Sequence, residues 1–280
     1  MIDNRTIPAI IVRTLIVLTP LLTAPLVHAS GELIISPTRL VFEKQTRTAS
    51  VNLVNAGKET HTYRIQFVQR RMTANGGFEE IKKAKPGEQF SDAMIRFSPR
   101  QVTLQPGQSQ AIRLMLRKPA SLAAGEYRSH LLFRAIPKAS STSIRQQNTN
   151  SQGISIKLTP VMGISIPVIV RHGKIEVTTE LEKLRYYPKT SNLLFDIKRF
   201  GNASVYGDLT VKFTGRDGKA YVIKQLNGLA VYTPNDSRRV NVPITAPAGV
   251  NIEHGLMTVQ YHSIKESGGK LLAEQSIQIP

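Results

Sequence analysis

Histidine is the side chain best suited to acid–base or metal chemistry near neutral pH. The chain has six of them: His28, His61, His130, His172, His254 and His262. No pair stands in the HExxH arrangement that sets two imidazoles on one helical face. There is no cysteine, so neither a thiolate metal site nor a disulfide is available. No serine occupies a GxSxG elbow, and neither a P-loop nor a GxGxxG turn occurs. Glu79 and Glu80 are adjacent acids after Asn75-Gly76-Gly77. Neighbours on a strand point to opposite faces, so they form no carboxylate dyad and read as a solvated hairpin. His130 lies in a strand-like run and reads as packed or surface-exposed. His172 falls at a break between two runs and reads as a linker residue. No catalytic residue, metal site or cofactor is expected, and an enzyme is not promoted by any motif.

The elements that carry these residues alternate with period two. Ala49, Val51 and Leu53 share a parity, as do Tyr63, Ile65 and Phe67, and Ile112, Leu114 and Leu116. Leu193, Phe195 and Ile197 repeat the pattern, followed by Leu209, Val211 and Phe213. Each set lines one face of a strand. Turn signals separate the runs: Asn55-Ala56-Gly57-Lys58, Asn75-Gly76-Gly77, Gln105-Pro106-Gly107 and Arg216-Asp217-Gly218. Many short strands between regular turns predict an all-β protein built from β-sandwiches.

Residues 1–29 read as a secretory signal peptide. Arg5 and Arg13 precede an apolar run that ends in Val27-His28-Ala29. The run is short for a bilayer span and is interrupted by Pro20 and Pro25. An export signal places the rest of the chain in the periplasm. The remainder suits two domains, 30–171 and 172–280, joined at the polar stretch Arg171-His172-Gly173-Lys174. The formal net charge is +18, almost all of it beyond the leader. Such a surface attracts anionic partners. Export argues against nucleic acid as that partner, and the basic residues are not interleaved with aromatics. An acidic protein or an anionic membrane surface fits the compartment better.

One stretch of the first domain stands apart. Residues 139–153 are rich in Ser, Thr, Gln and Asn, with Ile144 alone apolar, and read as a flexible loop. The run that follows, 154–170, is long for one strand and contains Pro160 and Pro167. Proline donates nothing to a ladder and is tolerated at sheet edges, so this run reads as an edge strand. Ile154, Ile156, Leu158, Met162, Ile164 and Ile166 share one parity along it. That parity either faces the protein's own core or is offered to a partner.

Three segments, in order after the leader, resemble the periplasmic chaperones of pilus assembly, the PapD-like chaperone–usher family. They are Ile35-Ser36-Pro37-Thr38-Arg39-Leu40-Val41-Phe42, the stretch from Ile95-Arg96-Phe97-Ser98-Pro99-Arg100 through Leu104-Gln105-Pro106-Gly107 to Ile112-Arg113-Leu114, and Gly125-Glu126-Tyr127-Arg128-Ser129-His130-Leu131. The run ending at Arg171 resembles the family's seventh strand. The likeness covers the first domain; the second shows only generic strand patterning.

The resemblance implies two immunoglobulin-like sandwiches in a boomerang with a cleft between them. It implies a pilin or fimbrial subunit as client, held by donor-strand complementation, and an outer-membrane usher as recipient. In that mechanism Ile154, Ile156, Leu158, Met162, Ile164 and Ile166 would fill the client's open groove. Arg39 would anchor the client's terminal carboxylate through its planar fork. The family's seventh-strand lysine falls at Pro167 here, which leaves Arg171 as a second candidate charge. Without a client the apolar edge must be hidden, and a self-capping homodimer is one route. The alternative reading is an exported β-sandwich adhesin or structural surface subunit, which would need neither Arg39 nor the long edge strand.

Overall fold

A computed structural model describes residues 33–137 and 163–280. The expected signal peptide and Ser/Thr-rich loop lie outside the described residues, as does most of the apolar run after that loop. The described chain is almost all strand, with three single-turn 3-10 helices. Among the described residues no helix is long and apolar enough to cross a membrane.

The first eleven strands are β1 (Leu33–Ser36), β2 (Leu40–Phe42), β3 (Thr48–Asn55), β4 (His61–Val68), β5 (Arg70–Met72), β6 (Phe78–Glu80), β7 (Ile95–Ser98), β8 (Gln101–Leu104), β9 (Ser109–Leu116), β10 (Gly125–Ile136) and β11 (Gly163–His172). Two sheets, ordered β1-β3-β9-β7 and β2-β11-β10-β4-β8, face each other across a core. The alternating residues fill it: Val51, Leu53, Tyr63, Ile65, Ile112, Leu114 and Leu116 are all buried there. Asn55 is buried at the end of β3. Its Nδ2 donates to the carbonyls of Glu59 and Leu104 at 2.7 and 2.9 Å, and its Oδ1 accepts the Gly57 N–H. This short amide satisfies the turn backbone locally, as Asn does in such turns.

The second sandwich comprises β12 (Val177–Tyr187), β13 (Asn192–Gly201), β14 (Val205–Thr214), β15 (Ala220–Val231), β16 (Ser237–Pro243), β17 (Gly255–Ser263) and β18 (Leu271–Ile279). Its sheets are β12-β13-β16 and β15-β14-β17-β18. Leu193, Phe195, Ile197, Leu209, Val211 and Phe213 meet in its core.

A third, smaller apolar cluster joins the sandwiches: Met72 and Ile169 from the first, Ala230 and Tyr232 from the second. This explains why β11 reads as unbroken Val168-Ile169-Val170. Val168 and Val170 enter the first core while Ile169 enters the joint, so both faces are buried. The β5–β6 hairpin reaches across as well. Asn235 Nδ2 donates to the Met72 carbonyl at 2.9 Å, and the Arg239 N–H to the Ala74 carbonyl at 2.8 Å. Its turn needs glycine at Gly76, where φ is +84° and a Cβ would collide with the Arg238 guanidinium. Glu79 and Glu80 sit exposed on β6, with Glu79 paired to Arg71.

Candidate functional site

Between the sandwiches lies a cleft of about 880 Å³. The connection from β1 to β2 forms one wall, and residues following β13 and β17 form the other. Arg39 enters from the first wall. Its Nη1 donates to the Tyr232 hydroxyl at 2.9 Å, and its Nη2 lies 3.4 Å from Ser204 Oγ. Its Cζ sits 4.5 Å from the Tyr206 ring centre and 5.3 Å from that of Tyr232. Aromatic faces attract a guanidinium without neutralising it. Among the described residues Arg39 forms no ion pair with a carboxylate. Glu43, Asp208 and Glu266 also line the cleft, but a held, part-buried cation with no carboxylate in ion-pair contact is suited to capture one.

Arg171 lines the same cleft but is differently placed. Its Nε donates to Glu126 Oε2 at 3.1 Å, its Nη1 to Glu43 Oε2 at 3.4 Å, and its Nη2 to the Ser204 carbonyl at 3.0 Å. The Glu126 side chain is fully buried, and the same oxygen accepts the Ser204 N–H at 3.1 Å. Arg171 therefore ties the sandwiches together, and two carboxylates already answer its charge. Arg171 was expected only as a second candidate charge beside the cleft, and it lines the cleft as a paired one.

The edge strand is β11. Its antiparallel partner β10 runs along its whole length, from Gly125↔His172 to Arg134↔Gly163. On its other side β2 pairs in parallel with Val168–Val170 alone. Among the described residues, 163–167 thus have a strand neighbour on one side only. Of the expected groove-filling residues, Ile164 is 41% exposed at this end. Ile166 is not available: it is 2% exposed and packs in the first core. Ile164, Ile166, Val168 and Val170 share one inward-turned face, and the core reaches along it as far as Ile166 but not to Ile164. Ile154, Ile156, Leu158 and Met162 lie outside the described residues.

The basic and aromatic surroundings of the joint were not foreseen. His130 is buried on β10 opposite Pro167, with its ring 5.2 Å from Phe78 in an edge contact. Among the described residues neither ring nitrogen has a hydrogen-bond partner. Burial, then the charges of Arg128 and Arg70, pull its pKa down to about 3. Arg128, also buried, donates to the carbonyls of Arg70 and Thr233, and its Cζ lies 4.5 Å from the Tyr232 ring centre. Burial lowers its pKa. Tyr206, Tyr232 and Ser204 could not be found by spacing, since they reach Arg39 from the other domain.

Residues 32–172 match the family described as pili and flagellar-assembly chaperone, PapD N-terminal domain. The chain belongs to this family. The match spans just over half of the chain and covers β1 to β11. No curated protein matches the chain. Similar solved structures include a chain of the CsuC–CsuE chaperone–tip adhesion subunit pre-assembly complex from archaic chaperone-usher Csu pili of Acinetobacter baumannii. That chain is 13% identical with a TM-score of 0.42, covering 88% of this chain and 97% of its own. The CupB2 chaperone of Pseudomonas aeruginosa is 11% identical with a TM-score of 0.42, covering 88% and 99%. The E. coli chaperone DraB is 14% identical with a TM-score of 0.41, covering 89% and 97%. Likeness at that level adds nothing about clients or mechanism. Family membership makes this protein a chaperone of pilus assembly rather than an enzyme, with an all-β fold of two sandwiches.

Proposed function

We propose that this chaperone acts in the periplasm, after removal of 1–29, and holds an incomplete pilus subunit by donor-strand complementation. The observation that carries the reading is the one-sided pairing of 163–167 among the described residues, with Arg39, in ion-pair contact with no carboxylate, in the cleft between the sandwiches. A subunit lacking its last strand exposes a groove and an unpaired edge. The main chain of 163–167 supplies the ladder partner, and Ile164 with the apolar residues before it supplies side chains. Each fully buried Leu, Ile or Met contributes roughly 1.5–3 kcal/mol, so several together hold a subunit that cannot finish folding alone. Arg39 takes the subunit's terminal carboxylate by two charge-assisted hydrogen bonds. Arg171 acts indirectly, by fixing the walls of the cleft. The loaded complex is delivered to an outer-membrane usher, and two empty copies cap each other's edges.

The test is capture of bound chains from periplasmic extract of the protein's own host. Recovery of a small, otherwise unstable subunit at one-to-one ratio supports the reading, as does its loss with Arg39→Ala while the melting curve is unchanged. Polymerisation of the protein itself, with no bound subunit, would move it to the adhesin or structural-subunit class.

A further inference from the structure

A second pocket, separate from the cleft, collects positive charge. It lies between the turn joining β2 to β3 and the chain leaving β9, and the last residue of β11 closes it. Its volume is about 690 Å³, within the range of small-ligand sites. Lys44, Arg47, Arg117, Lys118 and His172 line it, and among the described residues no carboxylate does. The walls are tied in place. The Thr46 N–H donates to the Glu43 carbonyl at 3.0 Å, the Leu116 N–H to the Arg47 carbonyl at 2.7 Å, and the Arg117 N–H to the Met94 carbonyl at 2.8 Å. Lys118 Nζ donates to the Arg171 carbonyl at 2.9 Å, which holds its charge beside the strand end.

Among the described residues none of the four permanent cations forms an ion pair. Glu43, the acid next to Lys44, already accepts from Arg171. Like charges gathered without a counter-charge repel one another, and a bound anion relieves that repulsion. A single carboxylate would answer one charge of four. A phosphate group carries about −1.5 to −2 with three acceptor oxygens, which suits arginine forks beside lysine point charges. We propose that this pocket is an oxyanion site for clustered phosphate groups, as carried by a soluble diphosphate or an anionic lipid headgroup.

The proposal does not depend on client capture and is tested on the whole processed chain by titration calorimetry with sodium pyrophosphate at low ionic strength. Arg47 and Arg117 are exposed and outside both cores, so the double variant Arg47→Gln, Arg117→Gln keeps the fold, checked by its melting curve. Binding to the unaltered protein, weakened about tenfold or more in the double variant and unchanged in Arg39→Ala, supports the site. Cosedimentation with phosphatidylcholine–phosphatidylglycerol vesicles, lost in the double variant, identifies the source as a headgroup. Pyrophosphate binding without cosedimentation identifies it as soluble. Equal affinity in the double variant, or no binding of pyrophosphate or vesicles, overturns the proposal. So does binding of a hexaglutamate peptide in place of pyrophosphate.

Discussion

Arg39 of the first sandwich donates to the hydroxyl of Tyr232 in the second at 2.9 Å. One domain therefore carries the cation and the other sets its direction. Tyr232→Phe removes the hydrogen bond and keeps the ring face. The expected outcome is a stability loss of about 1 kcal/mol with clearly weaker client capture, read by denaturant melts beside co-purification. Unchanged capture would mean that Arg39 orients itself without help.

Ile164 and Ile166 separate two roles on one strand. Ile166→Ala opens a cavity in the first core and should cost roughly 2–5 kcal/mol. Ile164→Ser alters an exposed edge position and should move stability by no more than about 0.5 kcal/mol, yet reduce client recovery. Denaturation midpoints with matched pull-downs check both. If Ile164→Ser leaves recovery intact, the 163–167 end of β11 is not the contact.

Glu126 is buried against Arg171. Arg171→Ala leaves that carboxylate without its cation, and breaking such a buried pair costs roughly 3–5 kcal/mol. The double change Arg171→Met, Glu126→Leu should restore much of the loss. Urea melts of the three variants, with small-angle scattering to follow the angle between the sandwiches, check this.

His130 makes stability depend on acid. Its folded pKa of about 3 lies below the ordinary value of 6.5. Between those limits the unfolded chain takes up a proton that the folded chain refuses, so stability falls as pH drops from about 6.5 toward 3. The contribution at neutral pH is on the order of a few kcal/mol. His130→Leu should flatten this part of the profile, measured by urea melts from neutral to acid pH.

Much of the fold was legible because period-two alternation reports directly which side chains share a face. The five sets read that way all lie in or against the two cores. Alternation does not say whether a face turns to the protein's own core or away from it. Ile166 shows this, since its place in the first core comes from how the two sheets pack and not from the pattern. That Arg39 would stand beside a cleft was legible through its motif, because the segment around it is local. Tyr206, Tyr232 and Ser204 were not, because their proximity to Arg39 arises when two domains pack and leaves no spacing signal. The diversion of Arg171 was hidden similarly, since Glu43 and Glu126 reach it from distant strands.

The β5–β6 hairpin lies against the second sandwich through main-chain carbonyls at Met72 and Ala74, while Arg171 and Glu126 form a separate tie to Ser204. The two ties draw on different strands, so both must break before one sandwich can turn against the other and widen the cleft between them.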